Sequence, residues 1–93
     1  MNTLDMKQVK IQMNELLRFV DMMEIRLILK RNETQGVIAY SFYNEDFEGY
    51  RYGYVNYLYE GGDLSLMERI DAESYRSLDD IIEKFKNYEI VEI

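Results

Sequence analysis

Residues 50–59 read Tyr50-Arg-Tyr-Gly-Tyr-Val-Asn-Tyr-Leu-Tyr59, and five of these ten residues are tyrosine. The tyrosines alternate with other residue types at a period of two, which is typical of a half-buried β-strand. Gly61-Gly62 follows at once and is the strongest turn signal in the chain, because paired glycines form the tight loops that join antiparallel strands. The segment therefore predicts a strand over residues 50–60, joined by a two-residue turn to a strand over residues 64–70.

This turn also fixes which residues face each other across the hairpin. It predicts four facing pairs: Glu60 with Asp63, Tyr59 with Leu64, Tyr57 with Leu66, and Gly53 with Ile70. One face then carries most of the apolar residues, and we expect it to be the core, because a slip by one residue would expose the whole set. The predicted core residues of this hairpin are Val55, Tyr57, Tyr59, Leu64, Leu66 and Ile70.

A second hairpin precedes the first, with a predicted strand over residues 37–43 and a loop over residues 44–49. Pairing Tyr43 with Tyr50 places Tyr40 opposite Gly53, so that an aromatic ring covers the bare glycine backbone. The core then gains three residues from this strand: Ile38, Tyr40 and Phe42. The opposite face, called the tyrosine face below, carries Tyr43, Tyr50, Tyr52 and Tyr54.

Helices and further strands flank the two hairpins. Residues 3–22 predict an amphipathic helix, because Val9, Met13, Leu16, Leu17 and Val20 recur with the spacing of one buried stripe. Residues 24–31 alternate as in a strand with one solvent-exposed face. Ser77 begins a capping-box-like sequence that predicts a second helix, ending near residue 87. Residues 89–93 predict a last short strand, whose place in the sheet the sequence leaves open.

The resulting order, α-β-β-β-β-α-β, predicts a single α+β domain over residues 1–93. We expect an antiparallel sheet of four to five strands with two helices packed on one face. The other face would then be open to solvent, and that open face would be the tyrosine face.

Composition and charge restrict the function of the chain. Its 93 residues carry a net charge of −7. Residues 1–35 hold six basic and five acidic side chains, whereas residues 36–93 hold five basic and thirteen acidic ones. A field of this sign repels phosphate backbones and attracts basic surfaces. We therefore expect a protein partner with a basic surface and no direct binding of nucleic acid.

Features of targeting are weak in this sequence. No apolar run approaches the length of a transmembrane helix, and the first residues do not resemble a signal peptide. The absence of cysteine is compatible with a reducing compartment. We expect a cytoplasmic protein with no membrane partner.

The residues present do not support a calcium-binding loop or a nucleophilic catalytic site. Asn44, Asp46 and Glu48 resemble the first half of a calcium loop, but the closing position is Val55 instead of a bidentate glutamate, so we expect no metal. The chain has no histidine and no cysteine, and its serines have no evident base. We therefore expect a protein that is not an enzyme and holds no cofactor.

Protein binding is the function that the residues favour. A row of aromatic residues with hydroxyl tips is typical of a binding interface, and carboxylates of the two hairpin loops would add negative charge to it. The predicted partner-binding residues are Tyr43, Glu45, Asp46, Glu48, Tyr50, Tyr52, Tyr54, Glu60 and Asp63.

Three functional hypotheses follow from this surface. The first is an inhibitor or adaptor encoded by a phage or mobile element, anti-CRISPR-like, which imitates DNA and occupies the Lys and Arg side chains of a nucleic-acid-handling protein such as a CRISPR effector. The second is an immunity protein that neutralises a nuclease toxin. The third is a structural module that forms a homodimer through the tyrosine face. Several small acidic proteins share this composition, and no motif identifies a family.

Overall fold

A computed structural model of the chain describes residues 11–12, 15, 23–46, 48–66 and 74–92. Five strands form one antiparallel sheet with the spatial order β4-β3-β2-β1-β5. The elements in chain order are β1 (Glu24–Lys30), β2 (Gln35–Asn44), β3 (Gly49–Glu60), β4 (Asp63–Leu66), helix α1 (Leu78–Lys84) and β5 (Glu89–Glu92). The coarse prediction of an antiparallel sheet in an α+β fold is confirmed.

The register predicted for both hairpins is confirmed. Glu60 faces Asp63, Tyr59 faces Leu64, Tyr57 faces Leu66, Tyr40 faces Gly53, and Tyr43 faces Tyr50. Both glycines of the β3–β4 turn have positive φ, 60° at Gly61 and 84° at Gly62, as this tight type of hairpin loop requires. The predicted pairing of Gly53 with Ile70 involves a residue outside those that the structure describes.

One face of the sheet, called the core face below, carries the predicted core. Its buried cluster comprises Ile25, Ile28, Ile38, Tyr40, Val55, Tyr57, Tyr59 and Leu64, with Phe42, Leu66 and Val91 packed at its margin. Two tyrosine rings of this face cover glycine backbones. A Cβ atom added to Gly53 would lie 2.9 Å from the Tyr40 hydroxyl, and one added to Gly36 would lie 2.6 Å from the Tyr57 hydroxyl. The first of these pairs is predicted by the register, and the second is new.

Strand β1 corrects one expectation, because it is buried on both faces instead of one. Its register shifts between Ile25 and Leu27, so that Arg26 is an extra residue in a β-bulge. Ile25 and Ile28 consequently belong to the core face, whereas Leu27 and Leu29 belong to a second buried cluster on the other side. The physical reason is that Leu27 and Leu29 are covered as well, in a buried cluster with Ile81.

The arrangement of helices corrects a second expectation. The sequence predicts two helices on one face and an open tyrosine face, but the structure gives the bounds of one helix, α1, and this helix packs on the tyrosine face. Ile81 of α1 is fully buried there with Leu27, Leu29, Val37 and Ala39. β4 and β5 lie at opposite edges, so the segment joining them crosses the sheet, and the apolar residues of the tyrosine face are buried against Ile81 in that crossing. The predicted helix over residues 3–22 falls mostly outside the described residues, of which positions 11, 12 and 15 are helical.

Helix α1 begins as its sequence indicates. The Ser77 hydroxyl accepts a hydrogen bond from the Asp80 backbone N–H at 3.4 Å, and Asp79 and Asp80 place negative charge in the first turn, where the helix dipole favours it. The helix ends at Lys84, about one turn before the predicted end, and Phe85 caps it. Strand β5 then pairs antiparallel with β1, which places the last strand at the sheet edge opposite β4.

Candidate binding surface on the β2–β3 arm

Strands β2 and β3 extend beyond their neighbours at one end of the sheet. Among the described residues, pairing of β1 with β2 reaches Ser41, and pairing of β4 with β3 covers Tyr57 to Glu60. Within this part of the chain, residues 42–51, called the arm below, form a two-stranded extension that closes through the loop 45–48. Neighbouring contacts begin at its base, where Arg51 Nη2 donates to the Ser74 carbonyl oxygen at 3.1 Å.

The loop at the tip of the arm carries negative charge. Glu45, Asp46 and Glu48 are all exposed. The Glu48 backbone N–H donates to the Glu45 carbonyl oxygen at 3.1 Å, and Glu48 adopts a left-handed conformation with φ 53°. The two ion pairs found within the described part of the chain join Arg26 to Glu24 and Lys30 to Glu33, so neither neutralises the tip. Three carboxylates consequently face solvent within four residues. The loop comprises the four residues 45–48 instead of the predicted six, because Asn44 and Gly49 pair with each other at the ends of β2 and β3.

A pair of tyrosines lies directly behind this loop. Tyr43 and Tyr50 face each other across the arm, with their ring centroids 5.7 Å apart and their planes at 78°, an edge-to-face contact. Tyr50 is 51% exposed, which makes it one of the large hydrophobic residues that the protein presents to solvent. The contact limits the freedom of the Tyr50 ring without burying it, and a ring that is both exposed and held loses little side-chain entropy when a partner covers it.

An open groove of about 420 Å³ adjoins Tyr50 at the base of the arm. Its lining residues are Met23, Glu24, Arg26, Ser41 and Tyr50. The β-bulge at Arg26 explains the presence of that side chain, because the extra residue leaves the regular alternation of β1. Arg26 Nη1 donates to Glu24 Oε1 at 2.9 Å, so the groove contains a local ion pair beside the hydroxyl of Ser41 and the ring of Tyr50. Sequence reasoning misses this groove, since no local signal marks the bulge.

Tyr52 and Tyr54 are predicted to share the open surface, but they lie under other parts of the chain. The Tyr54 ring packs edge-to-face on Phe85, with centroids 5.0 Å apart, and lies 5.9 Å from the ring of Tyr75. Tyr52 exchanges two backbone hydrogen bonds with Tyr75, at 2.9 and 2.8 Å. Both side chains are half-buried. The predicted row of four tyrosines is therefore divided into a pair on the arm, of which Tyr50 is exposed and Tyr43 half-buried, and a half-buried pair that lies against Tyr75 and Phe85.

Glu60 and Asp63 are exposed but lie at the other end of the molecule. They flank the β3–β4 turn, whereas the arm loop precedes the first residue of the twelve-residue strand β3. A strand of this length spans roughly 36–40 Å. The nine predicted partner-binding residues accordingly do not form one surface. The arm brings together five of them: Tyr43, Glu45, Asp46, Glu48 and Tyr50.

Two tyrosines of the core face have raised pKa values. Burial raises the pKa of Tyr40 to about 12, and it raises the pKa of Tyr57 to about 12. Both side chains belong to the buried cluster of the core face. Within the described ranges, no three His, Cys, Asp or Glu side chains lie close enough together to hold a metal ion. No helix in the described part of the chain is long and apolar enough to cross a membrane.

Comparison with known proteins gives no relative from which a role could be transferred. No protein-family model matches the chain, and no curated protein and no solved structure matches it.

Proposed function

We propose that this chain is a non-enzymatic protein-binding protein, an inhibitor or adaptor whose contact surface is the arm. The observation that carries the proposal is the exposed Tyr50 ring, which contacts Tyr43 and lies beside a loop with three exposed carboxylates. Aromatic anchors supply much of the affinity of protein interfaces, whereas rim charges mainly raise the association rate and the specificity.

The charge of the arm defines the chemistry of the partner. Glu45, Asp46 and Glu48 attract a surface rich in Lys and Arg, such as one that holds the phosphates of a nucleic acid. An arm bound there would occlude the nucleic acid, because the same cations cannot hold phosphate and carboxylate at once. A CRISPR effector is one protein of this kind. A nuclease toxin neutralised by an immunity protein presents the same chemistry, and the genes adjacent to this one would distinguish the two settings.

The homodimer hypothesis loses most of its predicted surface. It requires the tyrosine face to be open, but α1 packs on that face and the ring of Tyr54 contacts Phe85. Sedimentation at increasing protein concentration measures this directly, and a monomer is the result that agrees with the proposal.

The test begins with affinity capture and identification of the partner by mass spectrometry, followed by calorimetric titration of the purified pair. The informative variant reverses two charges on the arm, Glu45→Lys with Asp46→Lys. Its matched control makes the same change at the other end of β3, Glu60→Lys with Asp63→Lys. All four positions are exposed, so both variants should fold. We expect the arm variant to weaken binding by about tenfold or more and to reduce its dependence on salt, while the control binds as wild type does.

Tyr50→Ala tests the anchor separately from the charge. We expect it to weaken binding by about 2 kcal/mol, in the range of a central aromatic anchor, with stability within about 1 kcal/mol of wild type because the ring is half exposed. Equal losses from the two charge-reversal variants would show that only the net charge matters. Unchanged binding by Tyr50→Ala and by the arm variant together would refute the arm as the contact surface.

A further inference from the structure

The two edges of the sheet are covered differently. At the β4 edge, the Leu64 backbone N–H donates to Gln12 Oε1 at 2.8 Å, and Gln12 Nε2 donates to the Gly62 carbonyl oxygen at 3.0 Å. A side chain thus takes up backbone groups that an edge strand would otherwise present to another chain. At the other edge, β5 pairs with β1 on one side, and no described residue pairs with its second side.

Strand β5 presents a defined chemistry at this edge. It reads Glu89-Ile-Val-Glu92, and its register places Ile90 opposite Leu29 and Glu89 opposite Lys30 of β1. Val91 packs against the core face, which anchors the strand. Ile90 points to the opposite side and is 49% exposed. The edge therefore combines backbone groups that no described residue pairs, one exposed apolar side chain and the exposed carboxylate of Glu89.

We propose that the free edge of β5 binds an extended basic peptide segment of another protein, which adds to the sheet as a sixth strand. Backbone hydrogen bonds supply the attachment in this mode of recognition, and side chains at alternate positions supply the specificity. A Lys or Arg residue opposite Glu89 would complement its charge, and a β-branched residue beside it, opposite Ile90, would cover that side chain.

A second copy of this chain fits the edge less well than a basic peptide does. Each copy carries −7, so two copies repel at long range. Antiparallel self-pairing about an axis between Ile90 and Val91 also sets Glu89 of one copy opposite Glu92 of the other, and like charges directly opposite are destabilising.

This edge is separate from the arm. β5 pairs with β1 from Leu27 to Lys30, and these β1 residues face positions 36–39 of β2, whereas the arm comprises residues 42–51. The inference therefore does not depend on the proposed function of the arm, and each can fail alone.

The test uses the full chain labelled with ¹⁵N and three acetylated hexapeptides. The first peptide alternates Arg with Val and Thr, the second replaces each Arg with Glu, and the third keeps Arg but carries N-methyl groups on alternate backbone nitrogens. With the first peptide we expect amide shift changes centred on residues 89–92 and slower hydrogen exchange of β5. The Glu peptide should not bind, and the N-methylated peptide should bind at least about tenfold more weakly, because it keeps the charge but loses backbone donors.

Two matched variants locate the site on the protein. Ile90→Lys places a cation at the edge, where it repels a basic strand, and it should weaken the first peptide by about tenfold. Ile11→Lys makes the same change at another exposed isoleucine, which is 46% exposed, and should leave binding unchanged. Equal binding of the basic and the N-methylated peptide to the wild-type chain would overturn the proposal. Shift changes centred on the arm, or sedimentation as a dimer that Ile90→Lys disrupts, would overturn it as well.

Discussion

Removal of a single oxygen atom from the core should stabilise the protein. The side chain of Tyr57 is 1% exposed, and its hydroxyl has no hydrogen-bond partner among the described residues. A buried hydroxyl without a partner destabilises the folded state by about 1–3 kcal/mol. Tyr57→Phe removes this penalty but leaves a small void, so we expect the free energy of unfolding to rise by about 1 kcal/mol. Tyr57→Ala removes the ring as well and should lower it by about 3–5 kcal/mol.

The same variant should change the response of stability to alkaline pH. Burial raises the pKa of Tyr57 to about 12, whereas a tyrosine in the unfolded chain ionises near its ordinary value of 10. Between these two pH values the folded state binds more protons than the unfolded state. Stability therefore falls as the pH rises from 10 to 12 and is unaffected by this group below that window. Tyr57→Phe should reduce the loss, and Tyr40, whose pKa burial also raises to about 12, should account for a further share.

Urea denaturation at pH 7 and at several values between pH 10 and 12 measures both effects. Tyr50→Phe is the matched control, because it removes a hydroxyl from a ring that is 51% exposed and should change stability little. If Tyr57→Phe lowers stability at pH 7 by more than about 1 kcal/mol, the hydroxyl makes a favourable interaction and the reasoning from burial is refuted. An unchanged loss of stability between pH 10 and 12 would refute the assigned acidity.

Two further pairs of substitutions test the packing of the sheet. Gly36→Ala should lower stability by about 1–3 kcal/mol, because the new Cβ would lie 2.5 Å from the Leu29 carbonyl oxygen. Gly53→Ala should lower it less in the same urea titration, because the new Cβ would meet side-chain atoms of Tyr40 and not a backbone atom. Tyr54→Ala should lower the thermal stability of the fold by about 2 kcal/mol by removing two aromatic contacts beneath α1, whereas Tyr50→Ala should leave melting nearly unchanged; equal effects would contradict the division of the tyrosine face.

The register of the two hairpins could be predicted because its determinants are local. Gly61-Gly62 leaves two residues between β3 and β4, and this number alone sets the parity of every facing pair. The Tyr40–Gly53 pair carries the same parity into β2. Each of these signals lies within a few residues of the structure that it determines, so a single sequence is sufficient.

The features that could not be predicted depend on contacts between distant segments. The bulge at Arg26 appears in the sequence only as an imperfect alternation, which a strand with one exposed face explains equally well. The covering of Tyr54 requires Phe85, which follows it by more than thirty residues. Nothing in the residues of α1 indicates which face of the sheet it takes, because both faces carry apolar clusters.

The arm also contributes little to the stability of the fold. Among the described residues, no strand pairs with the outer side of either strand beyond Ser41 of β2 and Tyr52 of β3, and an isolated two-stranded ribbon is only marginally stable in water. Shorter versions of β2 and β3, ending level with β1 at Ser41, would retain the buried clusters on both faces of the sheet. Residues 42–51 therefore add little to the core, yet they hold the Tyr43–Tyr50 pair and three exposed carboxylates. This combination of small structural benefit and concentrated aromatic and acidic chemistry is the physical reason for assigning partner binding to the arm, instead of to the longer row of tyrosines that lies partly beneath α1.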